Sequence, residues 1–149
     1  MPNTVRLAGP IRLAGYASVF DVPDASGDVV RPGAFARSLA AAQPVPLLWQ
    51  HDAAHPIGTI DHLSEDRRGL RVIASLADTS VGRDAAALLK SHALTGLSFG
   101  YRVRAAMPGR GAGGLRNLTD LELIEVSLVT FPMQRLARVV AVSPQEMPV

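Results

Sequence analysis

The stretch TGLSFGYRV, Thr95 to Val103, decides how the rest of the chain is read. At period two, Leu97, Phe99, Tyr101 and Val103 share one face and Gly96, Ser98 and Gly100 the other, which is the alternation of a half-buried strand. The apolar face is predicted to be core. The opposite face carries one hydroxyl with no side chain two residues to either side, although interior glycines weaken a strand and usually mark a bulge or a close backbone approach. Space beside Ser98 therefore needs an explanation.

Moving outward from that strand, the same tests predict an alternation of strands with two helices. Upstream, Ile11 to Phe20 reads as a strand and DVPDASGD as a turn cluster. Pro32 suits a first helical turn, and Phe35, Leu39 and Ala42 recur at helical spacing through GAFARSLAAA until Pro44. Val45 to His51 is predicted as a strand with Leu47, Trp49 and His51 on one face, and Ile57–His62 and Leu70–Leu76 as two more around the turn SEDRRG. A second helix is expected with Ser80 as N-cap and Asp84 in its first turn, its apolar stripe formed by Val81, Ala85, Leu88, Leu89 and His92. Downstream, a glycine-rich connection over 108–114 is predicted to be flexible, followed by a strand from Leu118 to Phe131 and a last apolar run from Ala137 to Val142. The expected class is α+β: one domain over residues 1–149, with a small, mostly antiparallel β-barrel and about two helices.

Composition narrows the function. The 149 residues, 48% of them hydrophobic, suffice for a real core. Net charge is +2, the single lysine is Lys90, and the arginines are scattered with no interleaved aromatics, so no nucleic-acid surface is indicated. Without cysteine there is neither a disulfide nor a thiolate nucleophile. Nothing resembles a signal peptide or a membrane span, and a soluble, unexported protein is expected.

Three residues stand out, each with a bland reading beside the functional one. Most serines are surface or capping groups, and Ser98 is raised above them only by its glycine flanks. His51 closes PLLWQHD, where a hydrogen-bonded strand-end histidine is the plain interpretation. Glu125 lies in the apolar run LELIEVSLV; it faces water if the strand is an edge, and needs a partner such as histidine if it is buried. Together they supply a nucleophile, a base and an orienting acid. Should Glu125 fail, Asp52, Asp61 and His62 are the other candidates for the third position. A metal reading of HDAAH, with His51 and His55 four apart, is disfavoured by Pro56 and by the strand preceding it. His62 and His92 read as ordinary boundary histidines.

The segments GYASVFD, GDVVRPGAF, LLWQHD followed by PIG, GLSFGY and LIEVSLVTFP occur in the order and approximate spacing of the prohead serine proteases of tailed phages, the kind typified by phage HK97. The resemblance covers about residues 15–142. It implies a serine endopeptidase with His51 as base, Ser98 as nucleophile and Glu125 as acid, with Gly96 and Gly100 clearing space for a bound peptide. No cofactor and no metal are implied. The fold should be similar to the herpesvirus assembly proteases, in which a histidine replaces the acid. Such an enzyme works inside the assembling prohead in the bacterial host cytoplasm, cutting scaffold sequence from the major capsid protein and often processing itself; a homo-oligomer is compatible with this, and neither nucleic acid nor membrane is a partner. A non-catalytic capsid-assembly or scaffold-binding module on the same fold is the alternative. The chain departs from the family pattern at TFPMQ, where a proline followed by small or polar residues ending in asparagine is common, and in its short C-terminus. A dispensable tail or a compact variant, as in a gene transfer particle or prophage, is the corresponding expectation.

Overall fold

A computed structural model describes residues 10–109 and 115–143. Its strands are β1 (Arg12–Val19), β2 (Asp28–Val30), β3 (Leu47–Trp49), β4 (Asp52–Glu65), β5 (Gly69–Leu76), β6 (Gly96–Pro108), β7 (Arg116–Val129) and β8 (Val139–Ser143). Two helices, α1 (Ala36–Ala40) and α2 (Ser80–Lys90), complete the α+β fold. Residues 110–114 of the connection expected to be flexible lie outside the described residues.

The eight strands form one sheet in the order β2-β7-β3-β4-β5-β1-β8, with β6 pairing β7. Most pairs are antiparallel, but β2 and β3 both run parallel to β7. The expected barrel does not close. β6 follows β7 outward as far as Pro108, opposite Arg116, while β8 follows β1. Where the two edges meet, only the bridge Gly96↔Arg138 forms, supported by bonds from Leu97 N to Ala137 O (3.0 Å) and from Val139 N to Thr95 O (2.8 Å). Leu13, Leu47, Ile57, Leu70, Leu97 and Leu128 fill the interior without solvent exposure above 1%, each worth about 1.5–3 kcal/mol by burial. Phe35 stacks edge-on against Phe99, with ring centroids 5.2 Å apart.

The helices differ from expectation at their ends. Gly33, at φ +91, keeps Pro32 to Phe35 out of α1, and Ala42, at φ 51, ends the turn beyond it before Pro44 is reached. Thr79, not Ser80, caps α2: its side chain accepts from Gly82 N at 3.1 Å, which places Asp84 beyond the first turn. His92 leaves the stripe altogether. It adopts φ 60 just past the helix, with His92 N bonded to Leu89 O and Ala93 N to Leu88 O, the Schellman arrangement that terminates helices. β2 was not predicted: only its first residue, Asp28, lies in the run that reads as turn, and its three residues are recruited by β7 and not by local pattern.

Candidate active site

Parallel pairing of β3 with β7 sets the site. Leu48 lies opposite Ser127 and Trp49 opposite Leu128, after which the chain reverses so that Trp49 pairs with Asp52. The two residues between, Gln50 (φ 51) and His51 (φ 60), are both left-handed. A tight hairpin needs positive φ at both central positions and normally uses Asn-Gly; a non-glycine residue held there costs about 1–3 kcal/mol. Long-range bonds hold it. Gln50 N donates to Leu128 O (2.8 Å), Gln50 Nε2 donates to Thr130 Oγ1 (2.7 Å), and Thr130 N donates back to Gln50 Oε1 (3.1 Å). His51 N donates to Ser127 Oγ at 3.0 Å. His51 therefore projects from a turn, not from the strand expected through Val45–His51.

Antiparallel pairing of β6 with β7 places Ser98 opposite Ser127 and Gly100 opposite Glu125. Glu125 is only 7% exposed, and both its oxygens are engaged: Oε1 contacts His51 Nδ1, and Oε2 accepts from Ser127 Oγ at 2.7 Å. With the carboxylate on Nδ1, that nitrogen carries the ring proton and Nε2 is the one able to accept another. Ser127 is thus a member of the site that sequence reasoning missed, joining the backbone of His51 to the side chain of Glu125. Its signal was its place two residues after Glu125 on the same strand face.

The flanking glycines serve packing inside the protein. A Cβ on Gly100 would lie 2.7 Å from Glu125 Oε1, and one on Gly96 would meet the Val129 carbonyl and lie 3.0 Å from Pro132 Cδ. Neither glycine lines the cavity beside Ser98, and the room at Gly100 is taken by the carboxylate. Ser98, 6% exposed, shares a cavity of about 420 Å³ with His51, Phe99, Tyr101, Phe131 and Met133. Among the described residues no hydrogen bond joins the Ser98 hydroxyl to His51.

The other candidates are engaged elsewhere. Asp52 accepts from Ala54 N at 2.9 Å and holds His55 Nδ1 at 2.6 Å, and the Ala54 amide bond first, then His55, keeps its carboxyl below the usual range. Asp61 accepts from Ser75 Oγ (2.5 Å) and pairs with Arg12, and His62 Nε2 contacts Ser64 Oγ (3.0 Å). His55 lies on β4, so HDAAH forms no helical ligand pair, and among the described residues no three His, Asp or Glu side chains gather to hold a metal ion.

The profile of the caudovirus prohead serine proteases matches residues 4–148. The chain belongs to this family. It is 34% identical over 135 residues to the prohead protease of Enterobacteria phage HK97, a match covering 85% of this chain and 58% of that protein. It is 32% identical over 137 residues to the capsid polyprotein of Pseudomonas phage PAJU2, covering 87% of this chain and 20% of the polyprotein. The chain thus spans well under two thirds of the curated relatives it matches. Among solved structures, this prohead protease family member shares its fold with a KSHV protease in complex with a hexapeptide phosphonate inhibitor (TM-score 0.64, 14% identity, 91% of this chain and 66% of that one). The bacteriophage T4 capsid assembly protease is similar too (TM-score 0.62, 9% identity, 80% and 82%). No helix among the described residues is long and apolar enough to cross a membrane.

Proposed function

We propose that the chain is a serine endopeptidase of capsid maturation, with Ser98 as nucleophile, His51 as general base and then acid, and Glu125 as the orienting carboxylate. The observation that carries this is the buried Glu125 on His51 Nδ1, with the imidazole lining the same cavity as Ser98. In the reaction, Ser98 Oγ attacks a peptide carbonyl as its proton passes to His51 Nε2. The imidazolium, stabilised by Glu125, then protonates the leaving amine, and a water activated by the neutral imidazole releases the acyl group from Ser98. The substrate is the scaffold segment of the major capsid protein, cut inside the assembling prohead in the host cytoplasm, and self-processing uses the same chemistry. The family membership and the capsid context of the relatives support this; a prophage or gene transfer particle would suit the same chemistry.

Co-expression with the capsid protein encoded beside it is the test. A truncated capsid product should appear, and should vanish with Ser98→Ala. The cleavage rate should climb as pH is raised from acid, because only neutral imidazole accepts the serine proton; His51→Ala should abolish that rise, and a chelator should have no effect. The absence of a Ser98–His51 hydrogen bond favours one second reading, a non-catalytic assembly or scaffold-binding module. Labelling of Ser98 by a fluorophosphonate, which needs an activated hydroxyl, decides between them: no labelling at any pH favours the module.

A further inference from the structure

β1 carries an irregularity beside Ser98. Its pairing with β5 runs from Arg12 to Tyr16, opposite Arg71, and resumes at Ser18 opposite Leu70. Ala17 is the extra residue of a β-bulge, a device that re-aims side chains and recurs next to active sites. Ala17 and Ser18 both line the Ser98 cavity. Ser18 is 1% exposed, yet its hydroxyl has no hydrogen-bond partner among the described residues. A buried hydroxyl in that state is costly where alanine would pack as well, and its place on a cavity wall points to a ligand.

Two of the other polar groups around the cavity, Gln134 and Asp28, are spent. Gln134 Nε2 donates to Val19 O (2.8 Å) and Val22 O (2.9 Å), and its Oε1 accepts from Val19 N (2.6 Å). Asp28 is gripped by Arg116 through two bonds of 2.9 Å, which offsets its charge. Asp24 has only neutral partners among these bonds, the Ser26 amide and hydroxyl and the Asp28 amide. Its field reaches the wall: the Tyr101 phenol is pushed up by burial first, then by Asp28 and Asp24. The remainder is apolar, including Val30, Leu97, Phe99, Phe131 and Met133, with Phe131 90% exposed.

We propose that this cavity is the specificity pocket for the peptide residue whose carbonyl Ser98 attacks, selecting a side chain with an apolar stem and a hydrogen-bond-donating tip, glutamine or lysine, which Ser18 Oγ receives. Acidic side chains are rejected by Asp24. The purpose of the pocket rests on the endopeptidase reading, but its preference is measurable without catalysis.

Acetyl-Ala-Ala-Xaa-amide peptides with Xaa as Leu, Gln, Lys or Glu are titrated into the full Ser98→Ala chain and followed by backbone amide NMR shifts. The Gln and Lys peptides should saturate shifts at Ala17, Ser18 and Phe131, binding about three- to tenfold more tightly than Leu, with Glu weakest. Adding Ser18→Ala should erase the advantage of Gln over Leu; adding Asp24→Asn, which keeps an acceptor oxygen for Ser26, should reduce Lys binding but not Gln. Equal affinity for Leu and Gln, an unchanged ratio in Ser18→Ala, or no saturable shift near Ser18 would each overturn the pocket. Fluorophosphonate labelling of Ser98 in the unaltered chain reports separately on the endopeptidase reading.

Discussion

Glu125 has two oxygens and each is committed, one to His51 Nδ1 and the other to Ser127. Glu125→Gln keeps the shape but removes the charge that stabilises an imidazolium, and its amide can favour the wrong ring tautomer. Turnover should fall by one or more orders of magnitude with the circular dichroism spectrum unchanged. Ser127→Ala leaves the His51 amide and Glu125 Oε2 without a partner, a loss of about 1–3 kcal/mol. Thermal melts should register it, and steady-state kinetics should show kcat falling with KM held, because the base is displaced and the cavity wall is not. At this scale the sequence was informative about chemical type: a serine between glycines, a histidine at a strand end and a carboxylate in an apolar run were all visible. Gln50 was not. Its reciprocal bonds with Thr130 span 80 residues of sequence and depend on a parallel strand pair that no local pattern announces.

The β6–β7 ladder carries Ser98 and Glu125, and at Gly100 it is constrained by the carboxylate itself. A methyl group there would press on Glu125 Oε1 and its Cγ, 2.7 and 3.0 Å away. Gly100→Ala should therefore lower peptide cleavage and fluorophosphonate labelling together, by disturbing the acid; cleavage lost with labelling retained would restore the idea of a cleared groove. Gly96→Ala meets the Val129 carbonyl instead, so its main signature should be a lower melting temperature. Strands with long alternating runs were legible element by element, β1, β5, β6 and β7 above all. The β3–β4 hairpin was not, since Gln-His lacks the Asn-Gly signature of its turn and period two carried the strand through His51.

For the whole molecule, the Asp28–Arg116 pair anchors the short β2 to the start of β7. Hydrogen bonds from Arg116, chiefly, hold the Asp28 carboxyl below its ordinary value against the opposing pull of burial. A depressed folded-state pKa contributes stability that is complete above the unfolded value, about 3.9, and is lost as pH falls through the folded one. Melting temperature should drop as pH is lowered from 5 toward 2, and Asp28→Asn should flatten that slope while lowering the plateau above it. An unchanged slope would show that the exposed carboxyls of Asp52 and Asp66, also depressed, account for acid sensitivity. Fold class and seven of the eight strands followed from patterning, but β2 and closure did not. Whether two sheet edges zip or merely touch depends on how far β6 and β8 diverge, a property of twist accumulated over seven neighbouring strands.

The left-handed pair at Gln50 and His51 also shapes how the protein can decay. His51→Gly alone relieves backbone strain but strands Glu125 in the interior, so selection for heat resistance should reject it. Once Glu125→Gln has arisen the penalty disappears, and glycine at 51 becomes a gain. The order of substitutions then decides their sign, a form of epistasis in which loss of the acid opens a one-way path: each later step improves stability and makes reversion harder. Deep mutational scanning in the two backgrounds would reveal the asymmetry, with glycine depleted at position 51 beside Glu125 and enriched beside Gln.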